Sequence, residues 1–375
     1  LFGEIPAGNT LYRYLPPLRE VAEEGGRFAA RSIAGNTGRA IAAAYAAGLQ
    51  GCFCRSVDAP AWSRAIAEAA LGRLRQAWGK DHWLVEQVMP AAVQGSGRGK
   101  RAINYAYTQR ILPGAYRGSQ QFSNCTAWMT RELTGTLVGM AVAAGDLKRM
   151  DARHGTALVY AYRGSAGDSG MNVGTACEVV TEVGQSEEKD YGSGLNLSTQ
   201  DLDETAGVRW GRGGPPQALL EALKGDTIAK AWHFGQPSAE LVMDVLWNEG
   251  VIATGSTLTG QGPGDPVCGL TSIGGHAQAA LGYDDSDEFR AWYRQTTGKT
   301  LGEAVVIMDQ SWGPDWITIR NWPEQLWGPR PEGSFVLPMS HFLRLLENWG
   351  EGYGLTGAKG FVARRLPDWG SFSYL

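Results

Sequence analysis

A change of period along the chain constrains its fold more than any other feature. Before about residue 250 the readable apolar patterns have spacings of three and four, the period of a helix buried along one face. They fall at 18–30, 39–50 and 59–78, then at 126–144, 173–183 and 239–249, with Pro60 suited to the first turn of the third. Beyond that point the apolar residues come in short strand-like runs at 251–254, 277–283, 304–308 and 316–320. Helices first and strands later predict an α+β fold rather than alternating βαβ units. The 52 glycines, roughly twice the average usage of about 7%, demand many turns and argue against a helical bundle.

The segment 95–101 (GSGRGKR) interrupts the helical pattern and reads as a linker. It divides the chain into a helical N-terminal extension (1–100), a main domain (101–345) and a C-terminal tail packing on that domain (346–375). It is not a P-loop, because Lys100 is followed by Arg101 instead of Ser or Thr. With 43% apolar and 19% charged residues the chain can build a core. The net charge of −4 provides no basic field for nucleic acid or an anionic membrane. No apolar run reaches the roughly 18 residues of a membrane span, and no signal peptide is visible from Leu1 onward.

The five cysteines (Cys52, Cys54, Cys125, Cys177 and Cys268) form neither a disulfide framework nor a C-x-x-C metal pair, and the histidines are dispersed. No metal or cofactor is expected. This usage leans towards a reducing compartment.

Three segments can carry chemistry. Cys125 immediately precedes a strong helical pattern. A thiol at a helix N-terminus feels the positive end of the dipole, which favours the reactive thiolate. The polar stretch 118–124 (GSQQFSN) can bring Gln120 or Gln121 near the sulfur as an oxyanion donor beside a backbone N–H. His276 follows Gly274-Gly275 and opens a buried apolar run. A third run, 305–316 (VVIMDQSWGPDW), ends in Asp309-Gln310, where a side-chain carbonyl can orient an imidazole, with Trp312 covering the contact. Taken singly, each has a plain alternative: a small buried cysteine, a satisfied core histidine, a strand end with a turn.

Together, in this order, the segments resemble papain-like cysteine peptidases. Cys125 stands at a helix head after a Gln-containing loop, and Gly275-His276-Ala277, with 281–284 (LGYD), follows 151 residues downstream. Ser311-Trp312-Gly313 with Trp316 resembles the family's third motif. The resemblance covers about 107–342 and implies a papain-like fold, with a helical half holding the nucleophile helix and an antiparallel β half. It implies Cys125 as nucleophile, His276 as base, Gln310 as the orienting amide and Gln120 as the oxyanion donor. Gln121, Gly170, Gly275 and Trp312 would line the substrate cleft. Two positions depart from the family pattern. Gln310 stands where an Asn is usual, with Asp309 as a second candidate, and Gln120 lies one residue nearer the cysteine than the usual Gln. The stretch 286–301 reads as a surface excursion.

Two functions follow. The first is a thiol-dependent hydrolase of peptide or amide bonds, needing no cofactor and acting on a peptide or protein substrate; acyl transfer and cell-wall amide cleavage would use the same triad. The second is a module that keeps the fold without the reaction, docked in a larger assembly such as a virus particle through residues 1–100; those residues would alternatively form an inhibitory pro-region. Gly167-Asp168-Ser169-Gly170 spells a serine-peptidase motif, but neither His82 nor His154 has the matching context, so it reads as a turn. The glycan acceptor match at Asn124 would crowd the nucleophile, and a second one starts at Asn196.

Overall fold

The computed structural model describes residues 84–148, 150–223, 229–349, 351–357 and 364–366. All lie in one compact unit that begins at His82. The three helical patterns before residue 80, Cys52, Cys54 and His82 lie outside the described residues.

The helices are α1 (Val85–Val88), α2 (Asn104–Ile111), α3 (Cys125–Ala143), α4 (Ala157–Ala161), α5 (Val173–Glu182), α6 (Gln200–Trp210), α7 (Gln217–Ala222), α8 (Ala239–Trp247), α9 (Asp287–Thr297), α10 (Glu324–Trp327) and α11 (Met339–Trp349). The strands are β1 (Arg101–Ile103), β2 (Ala229–His233), β3 (Gly250–Gln261), β4 (Gly269–Asp284), β5 (Val305–Asp309), β6 (Phe335–Pro338) and β7 (Glu351–Gly357). They form one antiparallel sheet in the order β2-β7-β3-β4-β5-β6, with β1 pairing the end of β4. The α+β class read from the period change is the class found.

The sheet is buried on both faces, and period two decides which residue goes where. On β5, Val305 and Ile307 enter the core shared with α3 and α5, while Val306 and Met308 enter the opposite core. That second core receives Val242, Val245 and Leu246 of α8 and Phe342, Leu345 and Leu346 of α11. α3 packs on β3, β4 and β7. Its close approach to α2 depends on Gly139, where an added Cβ would come within 2.7 Å of the Thr108 Cα.

Several expectations need revision. The strand at 251–254 extends to Gln261, and the histidine strand begins at Gly269, so His276 lies inside β4 instead of at its head. Residues 316–320 form no strand; Ile319 makes only an isolated bridge to Gly264. Trp316 is instead held by its indole N–H to the Gly333 carbonyl (3.0 Å) and by an edge-on contact with Phe335. The supposed surface excursion at 286–301 contains α9, capped by the Ser286 hydroxyl and ended by Gly298 at φ +70°. Phe289 and Tyr293, one turn apart, are buried. The supposed linker at 95–101 is anchored inside this unit. The Gly95 and Gly97 N–H groups donate to the Asp244 carboxylate at 2.6 and 2.9 Å, and 101 begins β1. In the region read as a tail, β7 lies between β2 and β3.

Candidate active site

Cys125 is the first residue of α3, a helix of 19 residues, and its half-buried thiol is not part of a disulfide. Asn124 precedes it without making a side-chain cap. Its amide turns away to donate to Glu204 at 3.0 Å. The Asn124 side chain thus leaves the helix start uncapped, and the positive end of a helix favours a thiolate in its first turn. Asn124 is completely buried, which closes it to a glycan.

His276 is aimed by an irregularity in the ladder. It pairs with Ser256, but the next pair is Leu258 with Ser272, so residues 273–275 oppose Thr257 alone. Gly274 and Gly275 occupy this bulge, where two residues without Cβ let the strand kink. Thr257 leaves the ladder as well: its N–H donates to the Asn348 Oδ1 at 2.9 Å and its hydroxyl to the same oxygen at 2.6 Å. Gly275 therefore acts on the histidine through the backbone.

The imidazole Nε2 lies 3.3 Å from the Gln310 Oε1, which also accepts the Trp312 N–H at 2.8 Å. An atom accepting from a backbone N–H is the oxygen of the amide, so Nε2 must be the protonated ring nitrogen and Nδ1 the acceptor. Trp312 stacks on the ring, with centroids 4.2 Å apart and planes 21° from parallel. Burial pushes the imidazole down to about 4, with the Gln310 contact acting in the opposite direction.

The turn that holds His276 is fastened to the loop that leads into α3. The Gln120 N–H donates to the Ser311 carbonyl at 2.7 Å, and the Ser311 hydroxyl donates to the Gln120 Oε1. Gly313, at φ +84°, lies where an added Cβ would press within 3.0 Å of the Ser119 Cβ. The Gln120 Nε2 donates to the Phe122 carbonyl at 3.0 Å, which leaves it a second N–H to offer. Gln121 is directed elsewhere: its N–H donates to Glu204 at 2.9 Å and its side-chain amide to Asp201.

Asp309, the alternative orienting group, accepts from the Ser334 hydroxyl at 3.2 Å. Burial, reinforced by the Glu132 carboxylate, pushes it well above the usual carboxylate range. Gly170, at φ +72°, donates its N–H to the Tyr160 hydroxyl at 3.3 Å. Sequence reasoning gave no role to Glu351, which opens β7 opposite Gly255, itself paired with Ala277 beside the histidine. Its carboxylate accepts from the Asn172 Nδ2 at 2.5 Å, and burial raises it to about 7. Ser311 was likewise visible only as part of a motif. Among the described residues, no group of three or more His, Cys, Asp or Glu is placed to hold a metal ion, and no helix is long and apolar enough to cross a membrane.

No family model matches the chain, and no curated protein matches it. Among solved structures, it is similar to xylellain, a cysteine protease from Xylella fastidiosa, at 14% identity and a TM-score of 0.45, over 72% of this chain and 90% of that one. It is similar to procathepsin B S9 from Trypanosoma congolense at 12% identity and a TM-score of 0.37, over 67% and 75% of the two chains. It is also similar to a structure concerned with antibody cross-reactivity between the mite allergens Blo t 1 and Der p 1, at 14% identity and a TM-score of 0.34, over 64% and 66%.

Proposed function

We propose that the chain is a papain-like, thiol-dependent hydrolase of peptide or amide bonds. The observation that carries this reading is the linked arrangement of His276, Gln310, Ser311 and Gln120. The imidazole is held by an amide whose turn is hydrogen-bonded to the loop that presents Cys125.

With Nε2–H committed to Gln310, Nδ1 is the nitrogen that takes the Cys125 proton. The thiolate attacks the substrate carbonyl, and the tetrahedral oxyanion is met by the Gln120 amide N–H and the Cys125 backbone N–H. His276 returns its proton to the leaving amine, and water then cleaves the acyl-enzyme. Burial opposes an isolated imidazolium, so the charged ring depends on the thiolate as its counter-charge. The stack of Trp312 on the ring keeps water from the Gln310 contact, which strengthens it.

The non-catalytic reading rests on two departures, Gln310 in place of Asn and the shifted Gln120; the 3.3 Å approach of Gln310 to Nε2 supports the hydrolase on the first of them. The test is alkylation of Cys125 by iodoacetamide at near-neutral pH, with turnover of a broad peptide library measured alongside. The expected result is fast alkylation that is lost in His276→Ala, and turnover that is absent in Cys125→Ala. Slow alkylation independent of His276, with no turnover, rejects the hydrolase.

A further inference from the structure

Asp168, in the Gly-Asp-Ser-Gly stretch that reads as a simple turn, bonds to two separate segments beside the nucleophile. Its Oδ1 accepts the Ser123 N–H at 2.7 Å and the Tyr160 hydroxyl at 2.6 Å, while its Oδ2 accepts the Ser123 hydroxyl at 3.0 Å. Ser123 lies two residues before Cys125. The Tyr160 hydroxyl in turn accepts the Gly170 N–H at 3.3 Å. One carboxylate thus joins the loop that presents the thiol, the helix α4 and the 164–172 loop that carries Gly170.

The 164–172 loop has its own support. The Arg163 guanidinium lies over the Tyr160 ring, 4.1 Å from its centroid. It donates to the carbonyls of Gly167 (2.9 Å), Tyr160 (2.8 Å), Gly207 (2.7 Å) and Val208 (2.5 Å). These bonds shape the loop whether or not Asp168 is present. The bonds to Ser123 do something different: they tie this loop to the segment just before Cys125.

We infer that Asp168 is a positioning residue, whose carboxylate fixes the gap between the Cys125 loop and the Gly170 loop so that a peptide gripped by the second meets the thiol of the first. This rests on the hydrolase reading and adds to it a device outside the Cys125, His276 and Gln310 set. Asp168 touches neither the substrate bond nor the imidazole in this role. Its removal should therefore spare the intrinsic reactivity of the thiol and impair only reagents that use the peptide cleft.

The experiment compares two alkylators of Cys125 in the full chain: iodoacetamide, which carries no peptide, and a set of peptidyl chloromethyl ketones. The readout is the ratio of their second-order rates, with thermal melts as a folding control. In Asp168→Ala the ratio should fall about tenfold or more, a size expected for a displacement of around an ångström, while the iodoacetamide rate stays within about twofold of wild type. Asp168→Asn keeps an oxygen for the Ser123 and Tyr160 donors and an amide that the Ser123 hydroxyl can accept from, so it should restore the ratio. Tyr160→Phe, which removes the hydroxyl's bonds to Asp168 and Gly170 but keeps both bonds to Ser123, should lower the ratio by a smaller factor and serves if Asp168→Ala does not fold. An unchanged ratio in both Asp168→Ala and Tyr160→Phe overturns the inference, as does a fall in which both alkylators slow equally. A wild-type Cys125 that is unreactive to iodoacetamide overturns the hydrolase reading and this one together.

Discussion

The Oε1 of Gln310 lies 3.3 Å from the Nε2 of His276, and by accepting there it decides which nitrogen of the ring is left to receive a proton. In the proposed hydrolase a glutamine would perform the orienting task with one methylene more than an asparagine has.

Gln310→Ala should remove that acceptor from the imidazole and from the Trp312 N–H, while the bonds of Ser311 to Gln120 still fasten the turn. Without a fixed tautomer the imidazole spends much of its time with Nδ1 protonated and unable to act as a base. We expect kcat/KM to fall by about 10²-fold, the scale of lost general-base function. Steady-state kinetics on a peptide substrate and the rate of Cys125 alkylation should fall together.

In a Cys125→Ala background, His276 should titrate at about 4, because burial disfavours its charged form. The unfolded chain titrates near 6.5, so between those values it binds more protons than the folded one. This contribution to stability is therefore lost as the pH drops from about 6.5 to about 4 and is level below. NMR of the imidazole should give the low value directly. Urea unfolding at pH 7 and pH 4 should show an acid loss that is smaller by up to about 3 kcal/mol when His276→Gln is added.

Glu351 behaves in the opposite sense. Burial raises its folded value to about 7, against an ordinary glutamate value of 4.5. Stability from the protonated acid is fully present below about 4.5 and is lost as the pH rises through 7. Glu351→Gln should therefore be more stable than wild type by about 1–2 kcal/mol at pH 8 and equal to it near pH 4. Thermal melts at the two pH values check this.

Gly139→Ala tests the approach of α2 to α3. The new Cβ would come within 2.8 Å of the Thr108 Cβ as well as 2.7 Å of its Cα, and the Thr108 hydroxyl is already bonded to the Gly135 carbonyl at 3.0 Å. Backbone has to move, and we expect a loss of about 1–3 kcal/mol in urea unfolding.

The sequence displayed the helix head at Cys125, the strand carrying His276 and the turn at Gln310, because each has a local signature of period or turn chemistry. It also held the signs of α9 that were missed: Ser286 as a cap, acidic residues in the first turn, Phe289 and Tyr293 one turn apart, and Gly298 as a stop. Residues 316–320 misled for the converse reason. Their pattern suits a strand, but a strand also needs a neighbour, and β5 already pairs with β4 and β6. The bulge before His276 depends on cross-strand register with Thr257, and the role of Asp168 on partners from Ser123 and Tyr160. Neither is written in a local stretch of chain.

The position of β7 between β2 and β3 has a temporal consequence. Among the described residues β2 pairs with no other strand, and β3 has an open edge until residues 351–357 are available. During synthesis, which proceeds from the N-terminus, the helices of the Cys125 half can form early, but the sheet that carries His276 lacks the strand that joins β2 to β3. Topology thus acts as a clock, withholding a finished sheet from the growing chain until those residues have left the ribosome.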